Sequence, residues 1–125
     1  MITLGKSIYS ILSNNSTITG YTGTNIFPLV IPEGKTLPCI VYERNSDLEH
    51  TKDRTGVYSS LVDITILSEE YTECINITEA VFNALENYTG SVQGIDIIDI
   101  RLDSVNETFQ ESAYIQKLAF RVRSR

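Results

Sequence analysis

Residues 57–88, VYSSLVDITILSEEYTECINITEAVFNALENY, decide the fold that this sequence predicts. The first part places Val62, Ile64 and Ile66 at every second position, with Asp63 and Thr65 between them. This two-residue period is typical of a β-strand that buries one face and leaves the other in water. The stretch therefore predicts a half-buried strand before anything else in the chain is considered.

An amphipathic helix is predicted directly after this strand. Ser68 stands where an N-cap hydroxyl is expected, and Glu69 and Glu70 place negative charge near the positive end of the helix dipole. Gly90 is the predicted stop. Apolar residues recur at helical spacing at Cys74, Ile77, Val81, Leu85 and Tyr88.

The N-terminal third predicts a second helix and a loop. Residues 4–13 place Leu4, Ile8, Ile11 and Leu12 along one helical face, and Thr3 precedes them as a candidate cap. Residues 17–24 contain two glycines among small polar residues, which indicates a loop.

The remaining apolar segments predict strands. Residues 25–31 favour an edge strand, because Pro28 has no N–H group to donate. Residues 39–44 predict a second strand. Residues 45–56 predict a long, polar, solvent-exposed excursion between strands. In residues 95–105 the apolar positions change parity at Ile97 and Ile98, which predicts either a bulge or a change from one packing face to the other. Residues 106–111 connect this strand to a last one over residues 113–123, where Tyr114 and Leu118 share a face.

These elements predict an α+β fold in which an antiparallel or mixed β-sheet of four to five strands packs against two α-helices. The length of 125 residues suits a single domain spanning residues 1–125. The net charge of −6 argues against a surface whose main task is to bind nucleic-acid phosphates. The sequence shows no signal peptide and no membrane span, so we expect a soluble protein made in the cytoplasm.

Searches for chemistry give no catalytic or metal motif, and we expect neither an enzyme nor a cofactor. His50 lies among Asp47, Glu49 and Asp53, but these residues lack any metal-ligand spacing and suit a solvated loop. Three aspartates in the segment 95–105 suit a solvated strand face: Asp96, Asp99 and Asp103. The two cysteines, Cys39 and Cys74, are expected to be buried thiols.

A basic group near the C-terminus has two interpretations that the sequence leaves open. Lys117, Arg121, Arg123 and Arg125 bring 4 of the 10 basic residues into the last 9 positions of an acidic chain. The group is either a solvated strand face or a docking surface for an acidic patch on a neighbouring subunit.

Three segments carry a resemblance to a known family: IFP at 26–28, LPCIVY at 37–42 and VDITILS at 62–68. They resemble the tail completion proteins of long-tailed bacteriophages, which are also described as tail terminator or head-tail joining proteins. The likeness covers residues 4–88, with Cys39 standing where an aromatic residue is frequent.

The resemblance implies a structural virion protein that assembles into a homo-oligomeric ring, commonly a hexamer. Such a ring caps the tail tube and joins it to the head connector, and DNA passes through its lumen without being bound. The protein would be made in the bacterial cytoplasm and located in the virion, at the head-tail interface.

Candidate subunit-interface residues follow from the exposed excursion and the basic group: Asp47, Glu49, Lys52, Asp53, Arg54, Lys117, Arg121 and Arg123. The alternative function is a small ligand-binding or regulatory α+β module without catalysis, in which residues 47–56 close over a pocket. Ligand-dependent thermal stabilisation would favour that alternative.

Overall fold

The computed structural model describes residues 2–47 and 56–125. In the described chain, three helices and six strands follow one another as α1 (Leu4–Ser13), α2 (Ser16–Thr22), β1 (Ile26–Pro28), β2 (Cys39–Asp47), β3 (Tyr58–Ser68), α3 (Tyr71–Leu85), β4 (Gly90–Val92), β5 (Ile95–Gln110) and β6 (Ala113–Ser124). The strands form one mixed sheet in the order β1-β2-β3-β6-β5-β4. Only the β1–β2 pairing is parallel among the described strand pairs. The α+β class and the mixed sheet are therefore confirmed.

The helices cover one face of the sheet and form the core with it. Strand residues at alternate positions meet the apolar stripes of α1 and α3. Those on the strands include Ile40, Ile64, Ile66, Ile100, Leu118, Phe120 and Val122, and those on the helices include Leu4, Ile8, Leu12, Ile77, Val81 and Leu85. All of these side chains are nearly fully buried. The predicted strand and helix faces thus match the observed core.

One additional helix corrects the prediction of two. Residues 17–24 were predicted as a loop, but α2 occupies Ser16–Thr22. Its N-terminus is fixed by Asn15, whose side chain accepts a hydrogen bond from the N–H of Ile18 at 3.1 Å. Burial of Ile18 and Thr22 holds this short helix against the rest of the core despite the glycine within it.

One additional strand corrects the prediction of four to five. The helix α3 ends at Leu85, so Gly90 begins β4 instead of stopping the helix. The pair Gln93 and Gly94, both at positive φ, connects β4 to β5 in a tight two-residue turn. Gln93 gives no turn signal in the sequence, because glutamine rarely adopts positive φ.

The predicted caps also differ from the observed ones. Helix α3 begins at Tyr71, and Ser68 lies before its cap, where its hydroxyl accepts from the Glu70 N–H and donates to the Glu73 carboxylate. The Thr3 side chain makes no capping hydrogen bond with the described residues.

The strand β5 is longer and more irregular than predicted. The bulge expected at Ile97 and Ile98 is confirmed by a register shift between Ile97 and Asp99, and a second shift follows between Leu102 and Ser104. Residues 106–111 were predicted as a connection, but β5 continues to Gln110 and a two-residue turn at 111–112 leads into β6. Both turn residues adopt positive φ, which is the geometry of a tight hairpin.

The segment after α3 ties the helix to β5. The Asn87 N–H donates to the Ile100 carbonyl at 2.8 Å. The Glu86 carboxylate accepts from the Leu102 N–H, at 3.0 and 3.3 Å for its two oxygens. These contacts occupy the Ile100 carbonyl and the Leu102 N–H on the outer edge of β5. None of the helices in the described part of the chain has both the length and the apolar character needed to cross a membrane.

Candidate interaction surface

The face of the sheet opposite the helices carries the predicted basic residues. Along β6, buried and more exposed positions alternate, and Lys117, Arg121 and Arg123 occupy the positions that point away from the core. The register brings them beside β3 on one side and β5 on the other. This surface, called the outer face below, was predicted correctly as one side of the last strand.

Arginines of β6 pair with aspartates of β5 across the outer face. Arg123 binds Asp99 through two hydrogen bonds of 3.0 and 2.7 Å, which is a bidentate contact. Arg121 Nη2 lies 3.8 Å from Asp103, and Nη1 donates to Ser59 Oγ at 3.3 Å. The three aspartates Asp96, Asp99 and Asp103 were predicted as a solvated face. The structure places each within salt-bridge distance of an arginine, Asp96 being 3.4 Å from Arg125.

The Asp99 carboxyl is held in its charged form by this pairing. Hydrogen bonding to Arg123 lowers the pKa of Asp99 below its ordinary value, and the charges of Arg123 and Arg101 act in the same direction. Partial burial opposes the shift. The Asp99 carboxyl therefore stays charged to a lower pH than an ordinary aspartate does.

A second charged group lies where β2, β3 and β6 meet. Asp63 is 3% exposed, although it lies on the outer face, because its neighbours cover it. It accepts a hydrogen bond from Asn45 Nδ2 at 2.9 Å, and the Lys117 ammonium lies 3.5 Å away. These residues border a depression of about 270 Å³ in which Ala119 leaves space between larger side chains. The arrangement holds polar groups in fixed positions on the outer face.

The predicted excursion lies largely outside the described residues. Glu49, His50, Lys52, Asp53 and Arg54 all fall there.

The place from which the excursion leaves the sheet is nevertheless defined by the backbone. Asp47 ends β2 and pairs with Ser60, which in turn pairs with Val122 between Arg121 and Arg123. The excursion thus starts near the end of the sheet that carries these two arginines.

The described residues assemble no metal centre. Within residues 2–47 and 56–125, no group of three or more histidine, cysteine, aspartate or glutamate side chains is placed to hold a metal ion. Cys39 and Cys74 are buried free thiols, as predicted. Burial raises the pKa of both, which keeps them in the unreactive thiol form.

Two surfaces were missed by sequence reasoning. Val105 and Phe109 are exposed on β5, in or beside the segment that was predicted to be a connection. A groove also runs beside α1, with Tyr9 and Tyr42 in its lining. The sequence signal for both surfaces was the presence of apolar residues outside any predicted core stripe. The strand that carries Val105 and Phe109 was, however, predicted to end too early.

Comparisons with known proteins identify the family. A family model described as "Tail completion protein gp17" matches residues 6–125. The chain belongs to this family. The resemblance noted at residues 4–88 is therefore confirmed and extends to the C-terminus. Family membership indicates a structural role in a virion tail.

The fold also matches a solved virion structure. A chain of the structure titled "Virion of native gene transfer agent (GTA) particle" superposes with a TM-score of 0.76 at 14% identity, covering 94% of this chain and 91% of that one. At this identity the match concerns the fold. A search of curated proteins gives no match.

Proposed function

We propose that this protein is a subunit of a ring at the head-tail junction of a phage or prophage particle. The ring caps the tail tube, joins it to the head connector, and lets DNA pass through its lumen without binding it. The observation that carries this proposal is the family match over residues 6–125. The virion structure that shares the fold agrees with a place in a phage-like particle.

The outer face supports an interaction role. It is a broad β-sheet surface that no described helix covers, and its charges are held in place by neighbouring strands. Such preorganised charges select partners and fix their register more than they add affinity. Lys117, Arg121 and Arg123 already face carboxylates of their own chain, so a partner must meet a mixed charge pattern and not a purely basic patch.

The excursion supplies the second part of the proposed interface. Asp47, Glu49, Lys52, Asp53 and Arg54 contact a neighbouring subunit or the tail tube in this proposal. A closed heterologous ring needs two complementary surfaces on each subunit. The mixed charges of the excursion, leaving the sheet near Arg121 and Arg123, are compatible with one of these contacts.

Inactivation of the gene in the producing cell, followed by electron microscopy of the particles, tests the proposal. We expect separate filled heads and unattached tails without the protein, and joined particles when the wild-type protein is supplied in trans. Joined particles with normal tails in its absence would refute the proposed role.

The interface residues are tested in the same complementation. Arg121→Gln, and replacement of residues 49–54 by glycine and serine at constant length, should each reduce the yield of joined particles roughly tenfold, the effect of about 1.4 kcal/mol. Lys35→Ala, which removes an exposed cation near Phe27, is the matched control and should leave the yield unchanged. Equal yields from all variants would exclude these residues from the interface.

A further inference from the structure

The second half of β5 presents an apolar surface that the described chain leaves uncovered. Val105 and Phe109 are 49% and 56% exposed. Their pairing with Leu118 and Tyr114 places them on the helix-bearing side of the sheet, together with Glu107. In the described residues, no strand lies on the outer side of β5 after its short pairing with β4. Val105, Glu107 and Phe109 are called the hairpin patch below.

The hairpin patch is already ordered by contacts within the chain. The Phe109 ring lies 4.8 Å from that of Tyr114, which packs edge-on against Tyr71 at 5.5 Å. A hydrogen bond from Tyr71 to the Glu107 carboxylate raises the pKa of Tyr71. Because these side chains are held before any contact forms, docking would cost little conformational entropy.

A groove on another part of the molecule offers a matching surface. It measures about 750 Å³ and lies between α1, strands β1 and β2 and the β4–β5 turn, and its lining includes Ile2, Lys6, Tyr9, Pro28, Tyr42 and Gln93. Tyr9 and Tyr42 form a tilted aromatic pair at 6.0 Å. Strands β1 and β2 lie at the edge of the sheet opposite to β5. This surface is called the α1 groove.

The two surfaces have complementary charge. Lys6 is the only charged residue in residues 1–32, so the α1 groove is set in a segment with a single positive charge and no acid. Residues 103–112 contain Asp103, Glu107 and Glu111 and no basic residue. An aromatic side chain flanked by carboxylates is therefore exposed on the second half of β5, and an aromatic groove with a lysine lies beside α1.

From this complementarity we propose that the hairpin patch of one copy docks into the α1 groove of the next copy. The contact is heterologous, since each copy uses different surfaces towards its two neighbours, and its repetition around an axis closes a ring. Phe109 enters between Tyr9 and Pro28, and Glu107 faces Lys6. The inference rests on the proposed ring and names its lateral contact, separate from the outer face.

Site-specific photo-crosslinking in assembled particles tests this contact. The wild-type gene is replaced by one that carries a benzophenone amino acid at position 109, and purified particles are irradiated. We expect a crosslinked dimer whose partner peptide contains Tyr9 or Tyr42. A crosslink to another surface of a second copy, or to a different protein only, would overturn the proposal.

Charge reversal provides a second test with an internal rescue. Glu107→Lys and Lys6→Glu should each lower the number of copies per particle about tenfold, while the double variant should recover most of it, because each interface then regains one pair of opposite charges. Phe109→Ser should act like the single reversals. Tyr21→Ser removes an aromatic residue that is 40% exposed outside both surfaces and is the matched control. Failure of the double variant to recover, with all variants melting like the wild type, would overturn the pairing.

The outcomes separate this inference from the function on which it rests. Rings that assemble normally with Phe109→Ser would refute the lateral contact and leave the proposed function intact. If wild-type particles lacked the protein altogether, both the lateral contact and the proposed function would be refuted.

Discussion

The bidentate contact between Arg123 and Asp99 gives the sharpest quantitative prediction on the outer face. Two hydrogen bonds of 3.0 and 2.7 Å join the pair, and the Asp99 side chain is only 23% exposed. Surface ion pairs contribute about 0.2–1 kcal/mol, and bidentate geometry favours the upper end. We therefore expect a coupling free energy of about 1 kcal/mol from the double-mutant cycle of Asp99→Ala and Arg123→Ala.

The neighbouring pair of Arg121 and Asp103 is the control for this cycle. Its atoms are 3.8 Å apart and the Asp103 side chain is 52% exposed, so its coupling should stay below about 0.3 kcal/mol. Urea unfolding of the wild type, both single variants and the double variant of each pair measures the two values. Equal couplings for the two pairs would refute the reasoning from geometry.

The coupling of Asp99 and Arg123 should also depend on pH in one direction. Arg123 lowers the pKa of Asp99 below the ordinary value of 3.8, so the folded state binds this proton less readily than the unfolded state. The stabilisation is therefore fully present above the unfolded pKa and is lost as the pH falls through the folded pKa. We expect the same coupling at pH 7 and pH 5, and a smaller one below pH 3.8. A coupling that grows on acidification would contradict this sign.

Two further predictions concern the core and the unpredicted helix. Ile77→Ala should lower the free energy of unfolding by about 2–5 kcal/mol, because Ile77 is fully buried, while Asn76→Ala on the exposed side of the same helix should change it by less than about 0.5 kcal/mol. Similar losses from both would show that α3 does not pack as described. Asn15→Ala should cost about 1 kcal/mol in the same urea assay, since the Ile18 N–H loses its acceptor; an unchanged midpoint would mean that burial alone defines α2.

The elements that sequence predicted well are those whose side chains alternate between two clear environments. Strand β3 and helix α1 show one buried apolar face each, so their apolar periods could be read from the sequence, and the predicted bounds of α1 were correct. The bulge near Ile97 also left a signal in the sequence, because the apolar residues change there from odd to even positions. Helix α2 could not be predicted from the sequence. Its seven residues include a glycine and several threonines, so they have weak helical propensity and depend on one cap and on burial of Ile18.

The exposed end of β5 and the ion pairs of the outer face could not be predicted from the sequence, because local sequence does not determine them. Residues 106–110 are exposed on both sides, so no apolar period marks them as part of the strand predicted over residues 95–105. The basic face of β6 was predicted from its own residues. Its aspartate partners depend on strand order and on two bulges that shift the register of β5. Pairing between distant segments is a property of the assembled sheet.

The residues that follow α3 set a limit on how far β5 remains accessible along its length. The Ile100 carbonyl and the Leu102 N–H of β5 bind Asn87 and Glu86, whereas the region from Asp103 to Gln110 has no described strand beside it. At about 3.4 Å per residue, this leaves roughly 25 Å of open margin. A second strand that paired with this open margin would end where Glu86 binds β5. Glu86 therefore limits the length of any such extension of the sheet.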